Sequence, residues 1–410
     1  MSFILYLLLA VVILLFMVLV HEFGHYMIGR MLNFKITEFS VGFGKALFSR
    51  KNKRGELISF RVFPLGGYCA FEGEDETSQD NKDAFNNQAP WKRILVFLAG
   101  VTFNFATAVV FSLILLCTIG YDIPQIRKIV STQDFTAKYE IKNIIGDPYT
   151  IDIPTEEQLQ EGDVVISING EKIDFAYGAT YNDLIAEHAK AFNGDVYYLV
   201  QDESKLMVDF DEKESDKSPL SQEEFESKAV MKAIVKRDGE YVDVKIPFYR
   251  VEVAKLDSDG KVVEGESEFV YVWNTSVKAY VHSFTEGIKR AVPFAFGLAF
   301  TVLKSFWLLI TFQLPISAIG GPITTISTIA TVTQASLSNI LLLIPLISAN
   351  LAVFNILPLP ALDGSHVVFT TIEAIRKKPL KRSVENMIHN IGLIILFGAV
   401  ILIDILHFIL

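Results

Sequence analysis

The chain alternates between long apolar blocks and charged segments. Four blocks contain almost no ionisable side chain: residues 3–20, 94–120, 340–356 and 391–410. Each is about 17–27 residues long, and a helix of about 20 apolar residues crosses the roughly 30 Å hydrocarbon core of a bilayer. The pattern therefore predicts a polytopic α-helical membrane protein with about four transmembrane helices.

Composition agrees with a membrane protein. Hydrophobic residues make up 51% of the 410 residues, and the mean hydropathy is +0.36. The first block has neither a basic stretch before it nor a small-residue cleavage site, so we expect a retained span and not a signal peptide. The two cysteines, Cys69 and Cys117, imply no disulfide framework. The net charge of −10 argues against nucleic acid as a partner.

Lys and Arg residues predict the orientation. Eleven of them lie between the first two blocks, and five more precede the last block. By the positive-inside rule both segments are cytoplasmic, so the two termini and the acidic segment 121–287 are outside. A disulfide between Cys69 and Cys117 is then not expected, because the two thiols lie on opposite sides.

A further apolar block, residues 291–314, complicates the count of spans. It contains Pro293 and Lys304. If it crossed the membrane, residues 362–364 would lie on the opposite face from residues 21–25. We therefore predict a membrane-associated or re-entrant helix on the outer side.

The outer segment has the pattern of a β-rich domain. Residues 159–173 combine a Gly-Asp turn, an alternating strand and an Asn-Gly turn, and residues 231–248 predict a second hairpin. Between them, an acidic, Ser-rich sequence predicts an insertion over about residues 190–230, within a domain of about residues 126–250.

The first block ends in "HEFGH", which contains His21, Glu22 and His25. In a helix, residues i and i+4 share a face, so both histidines can reach one metal ion while Glu22 lies beside it. Ionisable side chains inside a membrane helix are costly unless a partner compensates, and a zinc ion is such a partner. The alternatives are a chance match to a loose motif, or histidines that reach the interface from a helix end.

A catalytic zinc site usually has three protein ligands and one open position. The stretch "NILPLPALDGSH", residues 355–366, follows the third block and is predicted on the same side as "HEFGH". Asp363 is the predicted third ligand, and His366 is the alternative. Pro358 and Pro360 predict that the helix ends before them. One Zn²⁺ per chain is expected.

These two motifs together resemble the site-2 proteases, intramembrane zinc proteases of the bacterial RseP type. The resemblance extends in order along nearly the whole chain. It includes "VGFGKALFSR" (41–50), "RVFPLGGYCAFEGED" (61–75), "FLAGVTFNFATA" (97–108) and "GGPI" (320–323).

The resemblance implies a role for each residue of the site. The zinc ligands are His21, His25 and Asp363, the catalytic base is Glu22, and the amides of Asn350 and Asn355 hold substrate or the developing oxyanion. Residues 159–173 are similar to a PDZ domain. Val101 departs from the family, because many relatives have Pro there, and one PDZ domain is recognisable where some relatives have two.

The stretch "LISFRVFPLGGYCAF", residues 57–71, alternates as a strand does and breaks at Pro64 and at Gly66 and Gly67. A helical substrate must be unwound locally, because its carbonyl groups are bonded within the helix. We predict a hairpin that dips into the membrane and pairs its edge, at Gly66 and Gly67, with an extended substrate. An ordinary cytoplasmic hairpin is the alternative.

The predicted function is a zinc metalloendopeptidase of the bacterial cytoplasmic membrane. The resemblance implies that its partners are the lipid bilayer and single-span membrane proteins, such as anti-sigma factors or remnant signal peptides. The alternatives are a metal-ion carrier or transporter and a non-catalytic PDZ scaffold. A transporter predicts inverted repeats and ionisable residues in several spans, which the sequence lacks. A scaffold would have no need of Glu22.

The predicted organisation follows the chain in order. It comprises a first transmembrane helix with "HEFGH" (1–30), a cytoplasmic or membrane re-entrant β region (31–93), a second transmembrane helix (94–120), an extracytoplasmic region with the PDZ-like domain (121–287), membrane-associated helices (288–337), a third transmembrane helix with the aspartate motif (338–366), a cytoplasmic loop (367–387) and a fourth transmembrane helix (388–410).

Overall fold

The computed structural model describes residues 3–74, 81, 83–129, 151, 153–174, 180–189, 196–197, 221–256, 262–272, 275–311, 313, 320–378 and 382–409. The chain divides into two compact units. The first unit comprises Met1–Leu115 with Ser283–Leu410, and the second comprises Leu116–His282.

The helices, in chain order, are α1 (Phe3–Met31), α2 (Pro90–Thr118), α3 (Tyr181–Ala189), α4 (Gln222–Lys228), α5 (Phe284–Ile310), α6 (Pro322–Ala335), α7 (Ile340–Ile356), α8 (Asp363–Arg376) and α9 (Arg382–Ile409). The strands are β1 (Ile36–Lys51), β2 (Leu57–Phe71), β3 (Pro124–Ile129), β4 (Val164–Ile168), β5 (Glu171–Lys172), β6 (Val196–Tyr197), β7 (Val230–Arg237), β8 (Glu240–Pro247), β9 (Tyr249–Leu256), β10 (Val262–Val272) and β11 (Thr275–Ala279).

Among the described residues, four helical segments are long and apolar enough to cross a membrane. They are α1, α2, α5 and the segment Leu337–Ile356, which contains α7. The apolar blocks at 3–20, 94–120 and 340–356 thus form helices as predicted, and the described part of the last block lies in α9. Length and composition also qualify α5, which contains most of the block that we predicted not to cross.

The helical core of the first unit lies where α6 and α7 pack on α1. Ala10, Ile13 and Met17 of α1 are buried against Ile329 and Ala330 of α6. The small side chains of Ala10 and Ala330 let the two helices approach closely, which favours packing where water contributes no hydrophobic driving force.

The N-terminus of α6 is capped by a carboxylate from α9. Asp404 is 5% exposed and accepts hydrogen bonds from the N–H groups of Ile323 (3.1 Å) and Thr324 (3.2 Å) and from the Thr324 hydroxyl (2.8 Å). The first N–H groups of a helix have no partner within it and carry the positive end of its dipole, so they stabilise the buried carboxylate. This cap ties α9 to the helix that packs on α1.

Strands β1 and β2 form a separate β-structure beside α1. They pair antiparallel with several register shifts, and Ser40 lies opposite both Tyr68 and Ser59. Residues 38–41 of β1 lie opposite residues 57–60 on one side and residues 67–70 on the other. The chain therefore reverses direction within residues 57–71, as the predicted hairpin requires, but the two halves of β2 pair with β1 and not with each other.

The second unit contains a sheet with the strand order β11-β3-β4-β7-β8, and the short strand β5 also pairs with β4. Its core contains Val165 of β4, Ile185 of α3 and Phe225 of α4, each fully buried. The hairpin predicted over 231–248 is present as β7 and β8. The turn between them has Asp238 at φ 49° and Gly239 at φ 93°, as a two-residue hairpin turn requires.

The predicted acidic insertion lies largely outside the described residues. Its final part forms the short helix α4, where Ser221 and Glu224 make reciprocal capping hydrogen bonds.

Candidate metal centre

Three side chains that could bind a metal ion converge where α1 meets α8. His21 and His25 lie one turn apart on α1, with their Nε2 atoms 3.1 Å apart. Asp363 is the first residue of α8, and its Oδ2 atom lies 2.9 Å from His21 Nε2 and 3.3 Å from His25 Nε2. Two ligands about 2.05 Å from one tetrahedral ion lie about 3.3 Å apart. The donor set and its spacing therefore fit one zinc ion.

Two glycines let α1 and α2 approach closely at this centre. A Cβ atom at Gly100 of α2 would lie 2.5 Å from His21 Cε1 and 2.5 Å from His25 Nε2. A Cβ atom at Gly24 would lie 2.6 Å from the carbonyl oxygen of Ala99. Both imidazoles thus pack directly against the backbone of α2. Sequence reasoning missed Gly100, although small residues in a membrane helix often mark a close helix contact.

We expect Gly100→Ala to disturb both imidazoles, since neither ring can move into the backbone of α2. Zinc affinity should fall at least about 10–100-fold, and stability should fall by about 1–3 kcal/mol as in an overpacked core. The measurements are zinc affinity by chelator competition and the thermal unfolding midpoint. Gly398→Ala on α9 is the matched control, because its added Cβ would have no neighbour within 4 Å. Equal zinc affinity in the two variants would show that contact with the α2 backbone does not fix the positions of the two imidazoles.

The second nitrogen of each imidazole has a partner on α2. His25 Nδ1 lies 2.8 Å from the carbonyl oxygen of Val96, to which it donates, so its Nε2 lone pair points toward the centre. His21 Nδ1 lies 3.3 Å from the side-chain amide of Asn104, whose Oδ1 is buried without a partner among the described residues. With that oxygen turned toward the ring, Asn104 accepts from His21 Nδ1–H, and His21 Nε2 is also left as a ligand.

Asn104 was not among the predicted site residues. It is fully buried, and it is a strongly polar side chain in an otherwise apolar block. Such a residue inside a membrane helix is a functional candidate by default, so the sequence did carry a signal for it.

Glu22 lies beside the three donors and against β2. Its carboxylate interacts electrostatically with His21, His25 and Asp363, and the backbone of Cys69 in β2 is near it. A Cβ atom at Gly67 would lie 3.5 Å from Glu22 Cγ and 2.6 Å from the carbonyl oxygen of Ser40. Only glycine thus lets β2 pass so close to the Ser40 carbonyl of β1 at this point beside Glu22.

The other residues of this β-structure take no part in metal binding. Gly66 has φ 137° and packs against the ring of Phe43. Burial raises the pKa of the Cys69 thiol far above its ordinary value, so this thiol stays protonated. Cys69 and Cys117 are both thiols and not a disulfide, as the sequence predicted.

The position of α8 is fixed on two sides. Gly364 packs directly on the carbonyl oxygens of Ile356 and Leu357. The guanidinium of Arg93, 2% exposed at the start of α2, pairs with Glu373 of α8 at 2.7 Å. A buried ion pair contributes little net stability, but losing one partner is costly, so the pair holds α8 in one place relative to α2.

His366, the alternative third ligand, belongs to a different group. The close cluster of potential ligands contains His21, His25 and Asp363, whereas His366 lies with Glu385 and His389. Its ring stacks on Phe97 at a centroid distance of 4.9 Å. Spacing along the sequence could not separate the two candidates, because they lie one helical turn apart.

The two predicted substrate-binding amides both lie on α7. Asn350 is exposed and Asn355 is partly buried. Helix α7 ends at Ile356, seven residues before Asp363. They belong to the helix that leads into the aspartate turn. Their roles stay predictions.

A histidine pair and a carboxylate between membrane-length helices, next to a glutamate, define a membrane zinc hydrolase. The chain belongs to Peptidase family M50, the site-2 proteases, which it matches over residues 9–399. It is a zinc-dependent intramembrane protease, and the predicted family, enzyme class and cofactor are confirmed.

Curated relatives carry consistent names. The chain is 25% identical to the regulator of sigma E protease of Haemophilus influenzae, over 94% of both chains. It is 26% identical to a protein of Pasteurella multocida named as a zinc metalloprotease, over 95% of both chains. A protein of Campylobacter jejuni with the same description is 27% identical, over 95% of this chain and 90% of its own length.

Proposed function

We propose that the chain hydrolyses peptide bonds inside the membrane spans of single-span proteins. His21, His25 and Asp363 would hold the zinc ion, and Glu22 would be the catalytic base. The observation that carries this proposal is the group of three donor atoms within 3.3 Å of one another beside Glu22. A metal carrier or a PDZ scaffold would have no use for a glutamate beside the donors.

Zinc bound by these residues would supply Lewis-acid activation of a water molecule and of the scissile carbonyl. The Glu22 carboxylate takes a proton from the attacking water and returns it to the leaving amine nitrogen. Gly67 of β2 packs beside this side chain, since a Cβ atom added to the glycine would lie 3.5 Å from Glu22 Cγ. The amides of Asn355 and Asn350 are the proposed donors to substrate and to the developing oxyanion.

The β1–β2 structure is the proposed unwinding device. Its outer surface carries large exposed apolar side chains, including Leu47 (73%), Phe48 (61%) and Phe63 (62%), which suit a lipid environment. Gly66 and Gly67 lie in the part of β2 next to Glu22. A substrate segment that pairs with β2 there would be extended and close to the catalytic base.

The position of the cut tests this function. We expect purified protein, reconstituted with a single-span substrate, to give product termini inside the apolar span when they are mapped by mass spectrometry. A zinc chelator should stop the reaction. Termini only in the polar flanking segments would contradict intramembrane cleavage of such substrates.

We further propose that the zinc site is near the cytoplasmic side of the bacterial cytoplasmic membrane, with the termini and the second unit outside. Positive charge between the first two spans supports this orientation. His21 and Asp363 follow the apolar parts of α1 and α7, so both helices run toward the site, and α2 runs away from it. The chain between α2 and α7 must then cross an even number of times.

The length of helix α6 supports no crossing over two crossings. It has 14 residues and is therefore about 21 Å long, shorter than the roughly 30 Å hydrocarbon core. Since a helix of this length is too short to carry the chain back across the membrane, α5 is proposed to stay on the outer side.

This topology predicts which cysteines an impermeant thiol reagent reaches in intact cells. A cysteine at Tyr241, 70% exposed on β8, should be labelled from outside, and one at the exposed Lys377 should not. The unchanged chain gives the background from Cys69 and Cys117. Labelling of Lys377→Cys from outside would overturn the proposed orientation.

We also propose that the second unit is a PDZ-like peptide-binding domain. Strand β11 lies at the edge of the sheet, as a strand that accepts a peptide must. A cavity of about 330 Å³ lies between β11 and the start of α3, lined by Thr180, Tyr181 and Val277 among others. Loss of peptide binding in a Val277→Pro variant would support this site, and unchanged binding would contradict it.

A further inference from the structure

The turn that presents Asp363 is unusual in its backbone. Residues 357–362 connect α7 to α8, and Ala361 within them has φ 69°. A residue other than glycine is disfavoured in this left-handed region, because its Cβ atom crowds the backbone. Such a conformation persists only where its surroundings hold it.

His389 of α9 provides that support. Its Nδ1 atom accepts a hydrogen bond of 3.0 Å from the backbone N–H of Ala361. A backbone amide can only donate, so the neutral ring carries its proton on Nε2. That Nε2 atom is buried and has no hydrogen-bond partner among the described residues. The position of the ring thus satisfies its Nδ1 acceptor, whereas its Nε2–H donor has no partner among the described residues.

Ring stacking extends the contact to α8 and α2. The His389 ring stacks on His366 at 4.1 Å, and His366 stacks on Phe97 of α2 at 4.9 Å, both with an interplanar angle of 15°. One residue before Ala361, Pro360 packs directly on Gly392 of α9. The first turn of α8 and the turn before it are therefore clamped between α2 and α9.

The same residues do not suit a second metal ion, although His366, Glu385 and His389 are near one another. The only lone pair of His389 already accepts from Ala361, and its other nitrogen carries the proton. The lone pairs of two stacked rings also lie in nearly parallel planes, with the ring centroids 4.1 Å apart, which does not favour convergence on one ion.

We propose that His389 is a positioning residue for the zinc site, which acts by holding Ala361 in its left-handed conformation and so fixing Asp363 Oδ2 near His21 and His25. The proposal rests on the proposed ligand set. Its contact is made by a backbone atom of the aspartate turn, so it constrains Asp363 without touching it.

Replacements of His389 can separate the acceptor from the ring. In Asn, Oδ1 is the same number of bonds from Cα as His Nδ1, so His389→Asn retains an acceptor for Ala361 without the stacked ring. His389→Phe retains a stacked ring without an acceptor, and His389→Gln moves the acceptor to the Nε2 position. Met387→Phe on the same helix, at a position 54% exposed, is the control for added bulk.

The test measures zinc affinity by chelator competition and the visible absorption spectrum of the Co²⁺ form. We expect His389→Phe and His389→Gln to raise the zinc Kd about tenfold or more and to change the Co²⁺ spectrum. His389→Asn and Met387→Phe should stay within about threefold of the unchanged chain. If His389→Phe does not fold, His389→Gln carries the same expectation.

The proposal would be overturned by equal losses of zinc affinity in His389→Asn and His389→Phe, or by no loss of zinc affinity in His389→Phe. It would also be overturned by a second bound zinc ion per chain that is absent in His389→Phe. Asp363→Asn, measured in parallel, separates this failure from failure of the ligand set. If Asp363→Asn binds zinc as tightly as the unchanged chain, the proposed ligands are wrong; if it binds weakly while His389→Phe binds normally, only the role of His389 is wrong.

Discussion

Replacing Glu22 with Gln is expected to abolish peptide cleavage while zinc content stays near one ion per chain. Gln has the shape of Glu, but its neutral amide cannot take a proton from water. Loss of a general base typically lowers kcat by about 10²–10⁴-fold. Glu22 is not one of the three clustered donors, so metal binding should survive.

The measurement combines turnover of a single-span substrate with zinc content by mass spectrometry. Glu171→Gln on the exposed strand β5 of the second unit is the control for loss of one carboxylate. Substantial turnover by Glu22→Gln would remove Glu22 from the mechanism. Loss of zinc in this variant would instead make it a ligand.

Asp363→Asn should weaken both zinc binding and activity. A neutral amide is a poor zinc ligand, and Asp363 is one of the three proposed donors in the cluster that the described residues form. The loss of affinity should exceed the roughly 10–100-fold that removal of an outer hydrogen-bond partner costs. His366→Ala is the comparison, and it should cost less because His366 lies in the stacked rings and outside the donor group.

Chelator competition on the two variants, with activity on the same preparations, distinguishes the two candidates for the third ligand. Full zinc binding by Asp363→Asn together with its loss in His366→Ala would reverse the choice.

Sequence patterns predicted the parts of the fold that depend on interactions between residues close together in the chain. Apolar length predicts α1, α2 and α7, and the spacing of His21 and His25 puts both on one face of α1. The Asp-Gly pair at 238–239 predicts the β7–β8 turn, because both residues tolerate positive φ. In each case the cause and its effect lie within a few residues of each other.

The missed features depend on contacts between distant segments. The close approach of Gly100 to the histidines depends on how α1 and α2 pack, and a small residue by itself does not say which partner it faces. Residues 57–71 form β structure as predicted, yet their partner is β1, since pairing depends on the whole sheet. The support of Ala361 by His389 joins residues 28 positions apart in two elements.

X-ray absorption at the zinc edge tests the central claim most directly, because it reports the atoms around the ion in the intact protein. The account predicts two imidazole nitrogens at about 2.0–2.1 Å and one carboxylate oxygen at about 2.0–2.2 Å, with the oxygen contribution altered in Asp363→Asn. A sulfur neighbour at about 2.3 Å, or a spectrum identical in the unchanged chain and Asp363→Asn, would contradict it.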